Sequence, residues 1–549
     1  MTTMIADPTC RFDSPLRSVD EKPSVLLDSD INKIVERKLR SPNFRVLQWS
    51  LDDLGETNGF LGQYYTLSVT VKTDDKSKRL RFFAKTPPPS PQYDFLVNSN
   101  TFDKEIAVYS DIVPRIGMGT GPKWAPDYFL GKSNTILVLE DAKQEGYVTP
   151  DKFLLFDLDH CVYTVATLSR FHSRFLIQDE KLRSKGQSIM DLYGNWLEEV
   201  AFVEEELPAR KYLASCVKGA CTMVDFAERF TDQERTLMKN WISSSIPSLP
   251  RLLQPSIKFR NVVCHRDIWA NNIMFKRDAN GKPVGCYLVD FQFLRYSPPA
   301  LDFTVFLYLN TDRKARRECW DQLVNVYCDT MKRELASEGL DVERCLSREE
   351  FIECCKELKD VSLTYSIANV QVMLLTKQAV EKYFVNSTDL LEHVVYGEQR
   401  SELVVNQCRS REAYRYRIVD ILEEIKEHLT NKPTGSTKSF TALREKMSLL
   451  WSPDKLDTMR DSVRLDNKLE IEFDWEILNC DKAELVLTVV GLSCGLYDSK
   501  RSLQNYHCIE NDTVPSLLIT KACCFSCAHY TSRVTSLPFN EVKLSSITQ

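Results

Sequence analysis

Apolar positions fall into short runs in the first quarter of the chain and recur at helical spacing through most of the rest. Arg45–Leu51, Tyr64–Val71 and Leu80–Ala84 read as strands, and so does Thr135–Glu140, a buried run that ends in the polar loop Asp141–Tyr147. A helix over Asp28–Leu39 precedes them, with Ile31, Ile34, Val35 and Leu39 on one face and Asp28 placed to cap it. A second helix carries Phe102, Ile106, Tyr109 and Val113 on one face. From Asp151 the pattern changes to long helices. Leu158, Cys161, Val165, Leu168 and Phe171 outline the first, and Glu198–Leu213, Asp232–Ile246, Arg316–Glu338, Arg348–Leu358, Ala368–Tyr383 and Tyr414–Leu429 follow. Strands first and helices afterwards predict an α+β architecture of two lobes, a small β-rich lobe and a larger helical one.

The expected organisation is a tail over 1–27, an N-terminal lobe over 28–142, a helical lobe over 143–430, a linker over 431–439 and a C-terminal extension over 440–549. The linker reads NKPTGSTKS, and within the extension Leu469–Ile477 alternates strictly, with Ala483–Leu492 as a second strand. The extension holds no motif that converts to chemistry.

Composition narrows the function. An apolar fraction of 43% is that of a folded globular protein, and a net charge of −6 gives no overall field to attract nucleic acid. The N-terminal residues form no secretory signal, and the longest apolar run, Leu485–Leu496, is too short for the roughly 20 residues that span a bilayer. A cytoplasmic protein with no membrane span is the expectation. The 18 cysteines are scattered through periodic segments and read as small apolar residues of a reducing compartment. Cys524 and Cys527 have the spacing of half a zinc site, but no second C-x-x-C completes it. His172 reads as a packed structural histidine.

The chemistry concentrates in Val262–Phe275, VVCHRDIWANNIMF, and its echo Tyr287–Phe291, YLVDF. An apolar strand gives way to a loop with His265, Asp267 and Asn272 at the spacing H-x-D-x-x-x-x-N, and a second apolar run delivers Asp290. One base followed by two hard oxygen ligands is the minimum for Mg2+-dependent phosphoryl transfer from ATP. Asp267 reads as the base, His265 as a buttress of its loop, and Asn272 and Asp290 as oxygens for Mg2+. The third strand ends in FFAKT, which puts Lys85 where a kinase needs a cation for nucleotide phosphates, and Glu105 follows twenty residues later on a helix. Gly59 and Gly62 lie in a loop that reads either as a nucleotide cover or as an ordinary turn. The step after Glu140 reads as a hinge whose backbone would meet adenine. Eleven residues separate Asp290 from Asp302, too few for the segment with which protein kinases dock a peptide, so the acceptor is expected to be a small molecule.

HRDIWANNIMF followed by VDFQFLRYSPPALDF resembles the ecdysteroid kinase-like family, within the choline kinase and aminoglycoside phosphotransferase superfamily. FFAKTPPP, Phe102-x-x-Glu105-x-x-x-Tyr109, LVLEDAKQEGY and LSRFHS resemble its successive blocks, and the likeness runs over about residues 30–430. It implies a protein kinase-like fold that phosphorylates a hydroxyl of a small molecule, with ecdysteroids the best-known acceptors. It also implies that Asp302 braces the catalytic loop, and that Lys85, Glu105, Asp267, Asn272 and Asp290 keep the roles read from their spacing. One departure stands inside the motif: the family's usual Gly after the histidine is Arg266 here, which calls for an ordinary backbone conformation at that position.

Overall fold

The computed structural model describes residues 25–55, 62–74, 76–88, 99–203 and 207–431, together with the backbone of two later strands. Helix α1 (Asp28–Leu39) packs on a five-stranded antiparallel sheet of β1 (Arg45–Asp53), β2 (Gln63–Thr73), β3 (Lys76–Thr86), β4 (Tyr128–Lys132) and β5 (Ile136–Glu140), in the order β1-β2-β3-β5-β4. Helix α2 (Thr101–Ala107) lies between β3 and β4 in the chain and continues through a π-helical stretch, Val108–Ile112, to Ile116.

Strand periodicity sorts the sheet's two faces. Phe82 and Ala84 of β3, with Ile136 and Val138 of β5, share a buried cluster with Ile31, Ile34 and Val35 of α1. The intervening Leu137 and Leu139 join Phe102 and Tyr109 of α2 in a different cluster. Lys85 pairs with Leu137 across β3 and β5, so it projects from the α2 face. One residue of slip would turn the lysine to the other side.

The helical lobe begins with β6 (Tyr147–Val148), then α3 (Leu158–Arg183), α4 (Ile189–Leu197), α5 (Leu207–Phe226) and α6 (Asp232–Ser245). Two small β units follow: β7 (Val262–Cys264) pairs with β10 (Arg295–Ser297), and β8 (Ile273–Arg277) pairs with β6 and β9 (Pro283–Leu288). Helix α7 (Pro299–Asn310) is buried along its whole length and packs on β7 and on α10 (Lys359–Met373). Around them are α8 (Arg313–Ala336), α9 (Arg348–Glu357), α11 (Arg400–Ser410) and α12 (Glu412–Thr430). An N-terminal sheet with a helical second part is the α+β, kinase-like arrangement expected.

Residues 433–549 form a separate unit, in which β11 (Ile471–Trp475) and β12 (Leu487–Leu492) pair antiparallel. The linker from residue 432 on, the segment 440–451, Gly59 and the pair Cys524 and Cys527 lie outside the described residues.

Three sequence expectations are corrected. Asp28 does not cap α1: it is the first helical residue and accepts the Trp49 indole N–H (2.8 Å), while Asp30 reaches back to the Leu27 N–H (2.9 Å). Glu198–Leu213 is not one helix. The Glu199 carboxylate accepts the N–H groups of Ala201 (2.7 Å) and Phe202 (2.8 Å), a local turn that competes with helix, and α5 starts afresh at Leu207 with Pro208 in its first turn. The expected Ala368–Tyr383 helix is displaced, because α10 is buried on every side and so has no polar face to mark its start.

Candidate active site

Lys85, next to last in β3, projects on the α2 face and is 4% exposed. Its Nζ donates to Glu105 Oε2 at 2.7 Å and to Asp290 Oδ1 at 2.8 Å. Burial opposes the ammonium, but the charges of Asp290 and Glu105 outweigh it and hold the lysine protonated far into the alkaline range. Burial also raises the Glu105 carboxylate, and the ammonium beside it works against that rise. Gly62 explains part of the fit: a Cβ there would come within 3.0 Å of Lys85 Cε, so the chain approaches the lysine more closely than other residues allow. Asp290 takes a left-handed backbone (φ 68°) as β9 runs out, just before the turn Phe291–Phe293.

The loop between β7 and β8 is held from behind by one carboxylate. Asp302, on α7 and 1% exposed, accepts the N–H of His265 (2.6 Å) and of Arg266 (2.8 Å), and lies 3.2 Å from His172 Nε2. His265 Nε2 faces the Val289 carbonyl at 3.0 Å, and its Nδ1 accepts the Asp267 N–H at 3.3 Å. That arrangement requires the Nε2–H tautomer. Burial depresses its pKa, so the imidazole is neutral and ties the loop to the residue before Asp290. His172 is buried and bridges Tyr327 to Asp302, the structural role expected of it.

Asp267 accepts from Asn272 Nδ2 at 2.7 Å and from the Trp269 indole at 3.3 Å. Burial, then the charge of Asp290, raises its pKa to about 7. Asn272 Nδ2 also donates to the Asp267 carbonyl (2.9 Å), so both recorded bonds of this amide go through nitrogen. Asn272 and Asp290 line the same cavity, and an amide with a carboxylate is a pair of hard oxygen donors that suits Mg2+ and not a thiophilic metal.

Lys85, Glu105, Asp267, Asn272 and Asp290 all line this one cavity, with Trp269, Phe293 and the strand-to-loop residues Glu140–Lys143. His265 and Asp302 stand behind it as supports. Glu140 is engaged structurally: its N–H donates to the Asp127 carbonyl (2.8 Å), and its carboxylate accepts from the Asp127 N–H (3.2 Å) and the Tyr287 hydroxyl (3.4 Å).

Arg266 departs from its expectation. Its φ is +71°, the left-handed region that favours glycine and costs other residues about 1–2 kcal/mol. The buried side chain ion-pairs with Glu199 (3.2 Å), and its guanidinium lies over the rings of Phe202 (4.8 Å), Tyr365 (5.8 Å) and Phe293 (5.9 Å). Sequence reading missed Glu199 and its second partner, Arg295. No local signal marks them, because Glu199 comes from the turn before α5 and Arg295 from β10.

The profile of the ecdysteroid kinase-like family matches residues 56–339, just over half of the chain. No curated protein matches it. Among solved structures it is similar to a GDP complex of an aminoglycoside 2′-phosphotransferase-IIIa variant (12% identity, 73% of this chain and 99% of that chain, TM-score 0.32). It is also similar to a microcompartment-associated aminopropanol kinase (12% identity, 71% and 98%, TM-score 0.29). A third is a choline/ethanolamine kinase family protein from Mesorhizobium loti (11% identity, 68% and 92%, TM-score 0.29). On the strength of the family match, the chain belongs to the ecdysteroid kinase-like family, a family of small-molecule phosphotransferases.

Proposed function

We propose that this protein transfers the γ-phosphoryl group of ATP to a hydroxyl of a small molecule. The observation that carries the reading is the joint placement, in one cavity, of a doubly paired Lys85 with Asp267, Asn272 and Asp290. Lys85 would meet the nucleotide phosphates, with Glu105 keeping its side chain extended. The acceptor oxygen attacks the γ-phosphorus, the bond to ADP breaks, and the hydroxyl proton passes to Asp267. Phosphoryl transfer is a loose process in which positioning and charge dominate, so a carboxylate that takes the proton late suffices. Asn272 and Asp290 would hold Mg2+, which when bound neutralises charge on the phosphates. His265 and Asp302 keep Asp267 aimed without meeting substrate, and Gly62 lets the chain just ahead of β2 pass close to Lys85.

An apolar acceptor such as an ecdysteroid-like steroid, or a hydroxylated compound marked for detoxification, suits the Asp267 side of the cavity. There Trp269, whose indole reaches Asp267, and Phe293, which lies beside Arg266, offer apolar surface. ATP as the donor and free cysteines throughout the described residues fit a cytoplasmic setting. The test is incubation with ATP, Mg2+ and a panel of sterols, amines and phenolics. Phosphate gained by a hydroxyl compound supports the reading, and gain only by quaternary or primary amino alcohols would move the acceptor class to choline or ethanolamine.

A further inference from the structure

Arg266 sits next to Asp267, in a backbone conformation that its own side chain disfavours. Nothing within the loop stabilises it. The stabilising contacts come from outside: Asp302 accepts its backbone N–H at 2.8 Å, the Tyr365 hydroxyl donates to its carbonyl at 3.2 Å, Glu199 pairs with its guanidinium, and Phe202 and Tyr365 enclose the side chain. Glu199 also grips Arg295, which faces Cys264 across the β7–β10 ribbon at the entrance to the loop. The same carboxylate is itself fixed by the N–H groups of Ala201 and Phe202. Lys104, the neighbour of Glu105 on α2, donates to the carbonyls of Glu198 and Leu294 at 3.1 Å each. The helix that holds Lys85 and the loop that holds Asp267 are thereby tied to one turn, Glu198–Phe202.

We propose that Glu199 is a positioning residue: acting through Arg266, it holds the catalytic loop in the left-handed conformation that aims Asp267. This rests on the phosphotransferase reading above for its kinetic consequence, but not for its conformational one. If the arginine's contacts serve to hold a positive φ, a residue that adopts that φ freely should need no clamp. Alanine at 266 removes the clamp and keeps the backbone penalty, whereas glycine removes both.

The experiment compares R266A, R266G, E199Q and E199Q/R266G in the full chain, by steady-state kinetics and by thermal melting. R266A is expected to lower kcat about tenfold, the scale of the left-handed penalty, with KM for ATP within about twofold of wild type. R266G should recover most of that loss. E199Q should resemble R266A when alone and change kcat by less than about twofold when added to R266G, because its path is then already cut. In melting, R266G should be more stable than R266A, the reverse of the usual gain from Gly to Ala. Equal kcat and equal melting for R266A and R266G would overturn the proposal, as would an E199Q effect of the same size in both backgrounds. If E199Q does not fold, the R266A and R266G pair still decides, since neither disturbs the contact between Glu199 and Arg295. A wild-type protein without turnover would refute the phosphotransferase reading alone, and the melting order would still test the clamp.

Discussion

The carboxylate of Asp267 and the ammonium of Lys85 line one cavity, yet their environments do opposite things to their chemistry. Two carboxylates keep Lys85 cationic, and a neighbouring carboxylate helps to keep Asp267 close to accepting a proton. Asp267→Asn should therefore cut turnover by about 10²–10⁴-fold, the usual worth of a positioned general base, while ATP still raises the melting temperature of the variant. Lys104 supplies a pH test. Burial, and then the charge of Arg266, pull its pKa down to about 8 from an unfolded value of 10.5. Between those values the unfolded chain binds a proton that the folded one does not, so this residue's contribution to stability rises with pH across that window. The unfolding free energy of wild type relative to Lys104→Met should accordingly shift in favour of wild type from pH 8 to 10, and a flat difference would contradict it. One cavity brings Lys85, Glu105, Asp267, Asn272 and Asp290 together, and that they would meet was legible in sequence from their types, their order and the elements that carry them. The backbone of Arg266 was not, because the contacts that make a positive φ tolerable come from Glu199, Phe202 and Tyr365, far away in the chain.

At the scale of elements, the site depends on where strands and helices stop. Lys85 reaches Glu105 because β3 ends in the correct parity, and Asp302 meets two backbone N–H groups because the first turn of α7 lies under the loop. Asp302→Ala would leave both donors buried and unpaired, for a loss of about 3 kcal/mol or more. A lower denaturant midpoint checks this, and an unchanged midpoint would show that another group can replace the carboxylate. Periodicity predicted α3 and four of the five sheet strands but not β4, and it predicted α1 well, since that helix has one wet face. It failed for α10, which has none, and for the turn at Glu199, where a side chain bonding its own backbone ends what looked like a helix.

For the molecule as a whole, the informative feature is how little chain lies between Asp290 and α7. That interval is spent on the turn Phe291–Phe293, on β10 paired to β7, and on Pro298, and its side chains are largely buried. No part of it forms an exposed segment on which a peptide could lie, so a protein substrate should gain no phosphate under conditions where a small hydroxyl compound does. This difference was legible from the count of residues alone. The acceptor was not, because apolar residues such as Trp269 and Phe293 look alike in sequence whether they face the core or a ligand. The most direct measurement is mass spectrometry of hydroxylated small molecules after incubation with ATP, Mg2+ and either wild type or Asp267→Asn. The account predicts one added phosphate on a hydroxyl compound with wild type and none above background with the variant. Equal phosphorylation by both, or by neither, would contradict it.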